Sequence, residues 1–582
     1  LLLLSLIGFF PFLGKVHLFD WDEVNFAECA REMLVLQDFS RVYIDYKPFW
    51  EKPPLFFWLQ AGSMYLFGVN EFAARFPNAL CGLLTLQLLF WLGKKLIGKT
   101  LGFFWGLAYF GSFLPHFYFK SGIIDPFFNL FIFTGLVGAL IFYWKKSQYD
   151  GAQAFKLPGW FYLGCGGAAL GLALLTKGPV ALLIICLCLL VYWARLRFKK
   201  FYNFSALIFY FSICFFVFAL WHGWEYIKNG TWFFEEFFKY QYRLLTTEDA
   251  GHGGFLGFHF VVLLLGCFPA SIFALAELLG KTSGSQVDRN FQRWMLILLA
   301  IVLVLFSIVQ SKIVHYSSLA YFPITFLAAR SLERHLNKSQ ERQSSVGAFL
   351  SGSHDDDKSF TPPGWQMFLL LGVGLVWAAF FLLLPAIGIF KSYIIPYIKD
   401  PFAVANLGAS VQWSSLDFFP GAIFLLLVIN VFLLCRRAKV VNAAIFCFLS
   451  CGFFINLFLY SFVPRIERYT QGSIIDFYKS IQGKYCYVKT LHFKSYAHYF
   501  YAQFPVPTHS EYYQYVDEPK KNQEHLNNWL LFGEIDRDVY FVTKIMHAEN
   551  YRKWKGLVCV FEKNGFIVFL RKKGIRLQLP IV

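Results

Sequence analysis

The chain has 582 residues, with 53 Lys and Arg against 36 Asp and Glu, a formal charge of +17; only 15% of its residues are charged and 57% are hydrophobic. Soluble domains carry about 25% charged residues, and a chain that is 21% aromatic, with 73 Phe, is neither a disordered tail, a collagen nor a small disulfide scaffold. It reads as a polytopic membrane protein. The positive charge invites a nucleic-acid reading, but the basic residues lie at the ends of apolar runs rather than on one soluble face, which argues against it.

In chain order, Leu1 to Leu13 is largely apolar and lacks an initiator Met and a basic leader, so the chain is expected to start inside its first membrane helix; no A-x-A-like cleavage site follows. Apolar stretches able to cross roughly 30 Å of hydrocarbon recur about thirteen times. They cover residues 1–18, 72–93, 101–119, 126–144, 160–176, 178–194, 203–222, 255–279, 294–310, 313–330, 366–389, 415–435 and 440–463. Every second junction is basic: Lys94, Lys95 and Lys99; Lys145 and Lys146; Arg195, Arg197, Lys199 and Lys200; Lys281, Arg289 and Arg293; Arg330, Arg334, Lys338 and Arg342; Arg436, Arg437 and Lys439. Positive residues are retained in the cytoplasm, so these junctions are expected inside and the others outside.

The outer junctions hold isolated ionisable residues among aromatics: the segment from Lys15 to about Glu71, the turn at Ser121 to Asp125, the break at Thr176 to Pro179, the loop from His222 to Gly254 and the corner at Ser311 to Tyr316. The insert around Gly352 to Lys358 reads as a solvated cytoplasmic loop. From about Pro464 the pattern turns soluble. Strand-like runs at Tyr485 to Val488, Val539 to Val542, Leu557 to Phe561 and Phe566 to Leu570 alternate with helical segments at Gly472 to Ile481 and Asn522 to Leu531. The fold class is therefore a polytopic α-helical membrane domain over residues 1–463, with its first outer loop at about 15–71, followed by a small extracytoplasmic α/β domain over 464–582. Most of the 12 Cys lie in apolar runs without a CxxC pair and read as packing residues; Cys486 and Cys559 could form a disulfide in the outer tail. No GxxxxGK[ST] or GxGxxG cradle is present, so no nucleotide is expected.

Several polar residues have both a bland and a chemical reading. Asp22 and Glu23 open an amphipathic helix whose Val24, Ala27, Ala30 and Leu34 share a face; they serve either as first-turn acids or as carboxylates poised to take a proton. Glu51 and Lys52 precede Pro53 and Pro54, either at a plain loop-to-helix junction or as an acid and a base that orient a phosphate or a metal ion. Asp125 before Pro126 suits a helix cap. Lys177 lies in a break between two apolar runs, either snorkelling or functional. His252 in GHGGF reads as solvated, and Lys312, His315 and Tyr316 as interfacial anchors. Charge topology puts all of them on one membrane face.

The ordered set DEVNFAECAREML, EKPPLFFWL, NEFAARFPNAL, SGIIDPF, LALLTKGPVAL and SKIVHYSSLAYFPI resembles the GT-C integral-membrane glycosyltransferases of the protein O-mannosyltransferase superfamily, in particular the bacterial branch of lipid A aminoarabinose transferases. The resemblance covers roughly residues 15–335, and it implies an enzyme of the bacterial inner membrane that moves a sugar from a polyprenyl-phosphate donor to a lipid, glycan or protein acceptor at the outer face. Asp22 matches the catalytic carboxylate of the first outer loop, with Glu23 beside it. Glu51 and Lys52 match the EKP motif, Asp125 the second acid, and Lys177 the lysine near the donor phosphate; His252 and Tyr316 match more loosely. Asn25 and Phe26 stand where the family often has Arg-Tyr, which removes one expected cation.

The expectation is an inverting transfer with Asp22, Glu23 and Asp125 as catalytic acids and bases, and with Lys52, Lys177, Lys312 and Tyr316 around the donor phosphate. Glu51 and His252, with Asp125 nearby, are the candidate ligands of a divalent metal, zinc or similar. A transporter or flippase is the alternative, but it would place charges near the bilayer midplane and often repeat its halves. A glycan polymerase would lack the ordered DE, EKP and TKGP set, and a non-enzymatic scaffold leaves Lys177 unexplained.

Overall fold

The computed structural model describes residues 1–199, 201–247, 253–278, 284–346, 364–437 and 439–577. Its first half runs α1 (Leu2–Phe9), α2 (Asp22–Leu36), a hairpin of β1 (Tyr43–Ile44) and β2 (Lys47–Pro48), α3 (Leu55–Phe67), α4 (Glu71–Leu96), α5 (Lys99–Phe110), α6 (Phe113–Tyr118), α7 (Asp125–Lys146), α8 (Gly159–Lys177), α9 (Val180–Arg195), α10 (Phe204–Asn229) and α11 (Trp232–Thr246). Then follow α12 (Phe258–Gly266), α13 (Ala270–Leu278), α14 (Gln286–Ile308), α15 (Tyr321–Val346), α16 (Gly364–Ile389), α17 (Lys391–Ile394), α18 (Pro401–Leu407), α19 (Phe419–Arg436), α20 (Val440–Ser461) and α21 (Val463–Thr470).

Among the described residues eight helical segments are long and apolar enough to cross a membrane, and the pair α12–α13, bent by 116°, makes a ninth if it counts as one span. The chain is thus a polytopic helical membrane protein, with fewer full-length spans than the thirteen apolar runs. The difference is one of continuity. The run 1–18 holds an eight-residue helix, 101–119 splits between α5 and α6 at Gly111 and Ser112, 178–194 is the 16-residue α9, and 313–330 begins with a 3₁₀ turn at Val314–Ala320. Hydropathy registers apolar length, whereas a span also needs one unbroken hydrogen-bond ladder.

Glycines let the membrane helices approach closely. A Cβ on Gly138 of α7 would sit 2.4 Å from the Tyr162 carbonyl oxygen of α8, and one on Gly93 of α4 would sit 2.6 Å from the Gly102 Cα of α5. Small residues at such crossings bring backbones into van der Waals contact, the main attraction available between helices in lipid. Phenylalanines fill the wider gaps, as where Phe133 and Phe322 stack with centroids 4.2 Å apart.

The tail comprises α22 (Gly472–Ser480), β3 (Cys486–Thr490), α23 (Ala497–Ala502), α24 (Ser510–Tyr513), α25 (Pro519–Phe532), β4 (Asp538–Lys544), α26 (Ile545–Arg552), β5 (Leu557–Lys563) and β6 (Phe566–Arg571). Its strands order β3-β4-β6-β5, the first pair parallel and the others antiparallel. All four strand-like runs and both helical segments read from the sequence are present. The disulfide reading fails: Cys486 and Cys559 are free, on strands at opposite edges of the sheet. Three strand spacings of about 4.8 Å exceed the roughly 7 Å that a disulfide tolerates between Cα atoms.

One face of this sheet packs under α25 and α26, through Leu526, Trp529 and Ala548 against Phe541 and Ile567. The other face shares a core with α2, where Val24, Ala27 and Ala30 join Ile475, Val488, Phe500 and Val568. The apolar stripe of α2 is therefore buried against the tail domain, and its opposite edge is left to face the membrane bundle.

Candidate active site

Asp22 is the first residue of α2, and no side chain caps that helix. Its carboxylate makes no hydrogen bond among the described residues, and its Oδ2 lies 3.9 Å from His315 Nε2. The next residue differs completely. Glu23 is 5% exposed, and both its oxygens are taken: Arg75 donates from Nε and Nη2, each at 2.7 Å, the Phe19 amide donates at 2.9 Å and the Gly122 amide at 2.6 Å. Burial opposes its charge, but Arg75 and these amides outweigh that and hold its carboxyl below the usual range. Arg75 also binds the carbonyls of Leu13, Val16 and His17. Glu23 thereby ties the start of α2 to α4 and to the turn before α7, and it is a positioning residue rather than a free acid.

Asp125 opens α7, with Pro126 behind it, but it does not cap the helix. Its side chain reaches Lys177, whose Nζ donates to Oδ1 at 2.6 Å, and its Oδ2 lies 3.9 Å from His315 Nε2. Lys177 is the last residue of α8. Gly178 follows with φ of +91°, and a Cβ there would strike the Phe237 ring at 2.5 Å. Left-handed backbone and a lack of space both call for glycine; Pro179 then leads into α9, so the TKGP sequence stops one helix with its lysine aimed at Asp125. Tyr316 lies beside it, with the Lys177 ammonium 5.4 Å from the ring centroid.

Glu51 and Lys52 stand before α3, where Pro53 and Pro54 hold back the helix until Leu55. Lys52 Nζ lies 3.4 Å from the Tyr240 hydroxyl of α11 and 4.7 Å from its ring centroid. Glu51 has no hydrogen-bond or ion-pair partner among the described residues. All these groups line one cavity of about 740 Å³, whose apolar wall includes Val180 and Ile184 of α9 with Leu305 and Phe306 of α14. That volume and mixed lining suit a ligand with an apolar body and a charged head.

One expected site residue, Lys312, is not in it. Lys312 turns its ammonium onto the carbonyls of Ser307, at 2.7 Å, and Val309. The reason lies in helix ends: α14 finishes at Ile308, and its last carbonyls have no donors within the helix. His252 lies outside the described residues. Among those described, no three His, Cys, Asp or Glu side chains gather as metal ligands, and no step below runs through a metal.

Sequence reasoning left out His315 as a site residue, although it bridges Asp22 and Asp125, and it left out Asp20, Lys120, Tyr240, Arg243 and Lys494, which also line the cavity. Asp20 accepts from the Tyr496 amide at 3.1 Å, and desolvation within the cavity pushes its carboxyl up to about 6. His315 had a signal in the SKIVHYSS motif. Lys494 had none, since 472 residues separate it from Asp22.

Comparison with known proteins fits this geometry. Residues 1–238 match the family described as dolichyl-phosphate-mannose-protein mannosyltransferase. Two curated relatives are undecaprenyl phosphate-alpha-4-amino-4-deoxy-L-arabinose arabinosyl transferases, from Edwardsiella ictaluri (28% identical; 56% of this chain and 57% of the relative covered) and Wigglesworthia glossinidia brevipalpis (22% identical; 57% of each). The chain thus spans 57% of the length of each of these relatives. The crystal structures of ArnT from Cupriavidus metallidurans, apo and bound to undecaprenyl phosphate, superpose with TM-scores of 0.70 and 0.69 at 18% identity, covering 98% of this chain and 96% of theirs. Over residues 1–238 the chain is similar to the dolichyl-phosphate-mannose-protein mannosyltransferase family, over rather more than half its length to the arabinosyl transferases, and along nearly its whole length it has the fold of ArnT.

Proposed function

We propose that the chain is a glycosyltransferase that moves a sugar from a polyprenyl-phosphate donor to an acceptor with inversion at the anomeric carbon. The single observation that carries this reading is a carboxylate, Asp22, without a hydrogen bond among the described residues, in a largely apolar cavity beside the Asp125–Lys177 pair. The acceptor oxygen attacks the anomeric carbon while Asp22 takes its proton, and the bond from that carbon to the phosphate oxygen breaks. The polyprenyl phosphate leaves with its new charge facing Lys177 and Lys52. Asp125 holds Lys177 in place, and His315 lies between the two acids. Positioned proton removal is worth about 10²- to 10⁴-fold, and a preorganised charge at the leaving group about 10²- to 10³-fold.

The arabinosyl transferase relatives and undecaprenyl phosphate in the ArnT crystal support an undecaprenyl-phosphate-linked pentose as donor and an envelope lipid as acceptor. The alternating basic junctions support an extracytoplasmic cavity and tail domain in the bacterial inner membrane. Single cysteines at Lys494 and Gln523, both exposed, labelled from outside intact spheroplasts, test that orientation; labelling only after lysis overturns it. A divalent metal at Glu51 and His252 is a separate proposal resting on ligand chemistry, tested by metal analysis and by chelation during transfer. The function itself is tested by mass spectrometry of envelope lipids and glycoproteins with wild-type and Asp22→Asn chains. A modified acceptor present with the first and absent with the second is expected, and equal modification with both would overturn the reading.

A further inference from the structure

A second meeting of ionisable side chains lies on the tail domain, outside the cavity. β3 and β4 are parallel neighbours, so their carboxyl ends meet at one edge of the sheet, and each is followed by a histidine. His492 stands two residues past the end of β3, and His547 three residues past the end of β4, in the first turn of α26. The carboxyl ends of parallel strands are the edge of an α/β sheet where ligands commonly bind. The two imidazole rings have centroids 4.6 Å apart and planes inclined by 32°. Neither ring lines the cavity that holds Asp22.

Two imidazoles this close disfavour each other's protonation. Partial burial and then the neighbouring His547 hold the His492 imidazole below its usual range. In the neutral form each ring offers one lone pair. His492 Nε2 lies 2.7 Å from the Tyr551 hydroxyl, which leaves Nδ1 as its open nitrogen. His547 makes no hydrogen bond among the described residues and is half-buried, while His492 is exposed. Metal-binding imidazoles are commonly held in this way, one nitrogen fixed by a partner and the other left for the ion. The spacing agrees. With a metal–nitrogen bond of about 2.0 Å an ion lies about 3.2 Å from an imidazole centroid, so two rings on one ion have centroids about 4.5 Å apart at a right angle and about 5.2 Å apart at the tetrahedral angle. The observed 4.6 Å falls at the right-angled end, the tetragonal preference of Cu²⁺ and Ni²⁺. We infer that His492 and His547 form a binding site for a divalent transition metal, Cu²⁺ above Ni²⁺ and Zn²⁺, with water in its remaining positions. The loop that follows His492 carries Lys494 to the cavity and the Tyr496 amide to Asp20, so an ion bound there ties the root of that loop to α26.

This site stands apart from the transferase reading, and the probe is the metal alone. Purified full-length protein in detergent is titrated with CuCl₂, followed by calorimetry and by electron paramagnetic resonance. His547→Gln should lose one equivalent relative to wild type, and the difference spectrum should show hyperfine coupling to two imidazole nitrogens. His492→Asn should lose the same equivalent; asparagine is chosen because it tolerates the left-handed backbone at this position, where φ is +63°. Tyr551→Phe, which removes only the hydroxyl, should weaken Cu²⁺ at this site about 10- to 100-fold. Ni²⁺ and Zn²⁺ should compete more weakly than Cu²⁺ binds, and Mg²⁺, which seeks oxygen ligands, should not compete. Glu51→Gln should leave this equivalent in place, which separates it from the metal proposed in the cavity. Metal-free melting temperatures are compared throughout, and a fall in one histidine variant leaves the other decisive. Either histidine variant, folded and binding as many equivalents of Cu²⁺ as wild type, overturns the site. So does a difference spectrum with oxygen ligands alone.

Discussion

At the far end of α14, the helix that carries Phe306, a second set of buried charges forms a network of direct pairs. Arg330 donates to Asp288 at 2.8 Å and to Glu333 at 2.7 Å, and Arg334 lies 2.8 Å from Glu277, which also accepts from Gln292 at 3.0 Å. Around the cavity the contacts are looser. His315 stands 3.9 Å from each of two carboxylates, and among the described residues Glu51 has no direct partner and Lys494 lies over two rings without an ion pair. Burying charge is costly unless partners are supplied. The first set supplies them from within and serves packing, whereas the second surrounds a space and leaves charge for a ligand to complete. Asp22 and Glu23 repeat the contrast between adjacent residues.

The strongest test of that contrast is Asp22→Asn. It keeps shape and helix start but removes the base, so turnover should fall about 10²- to 10⁴-fold, measured as sugar transfer by purified protein, with the melting temperature held. Retained turnover would make the two sets alike. Glu23→Ala should do the converse. It leaves Arg75 buried without its carboxylate, and breaking such a pair costs about 3–5 kcal/mol, read as a fall in thermal stability in detergent; an unchanged melting curve would show that the Arg75 clamp is not structural.

Lys177→Ala comes next. Its removal should lower the maximal rate about 10²- to 10³-fold and weaken dependence on donor, seen in initial rates against polyprenyl-phosphate sugar. Because Asp125 would lose its 2.6 Å partner, Lys177→Arg is the control that keeps the charge; full activity in the alanine variant would leave Lys177 as a pairing residue like Arg330.

How much of this was legible beforehand follows from range. The regular alternation of basic junctions placed Asp22, Lys52, Asp125, Lys177 and Tyr316 on one face, and the cavity brings those five together. Motif order captured the TKGP break because its causes, a left-handed glycine and a proline, are local. Which of Asp22 and Glu23 stays free was not legible, since the answer is Arg75, 52 residues on from Glu23. Nor was the approach of Lys494, which depends on the tail domain packing against the stripe of α2. Span count failed for a related reason: apolar composition does not reveal where a helix is interrupted.

The smallest effect is expected at Lys312, where sequence and structure assign different roles. The sequence makes it a phosphate ligand, whereas the structure turns it onto the Ser307 and Val309 carbonyls at the end of α14. Lys312→Met keeps most of the apolar stem and removes only the donor. If the ammonium closes the helix end, the loss should be a hydrogen-bonding one of about 1–3 kcal/mol, visible as a modest drop in thermal stability, with half-saturation by donor unchanged. If instead half-saturation rises as it does in Lys177→Ala while stability holds, the ammonium leaves its carbonyls when donor binds. Lys312 then belongs with the open set around the cavity, and the division between closed and open charges must be redrawn to include groups that change sides on binding.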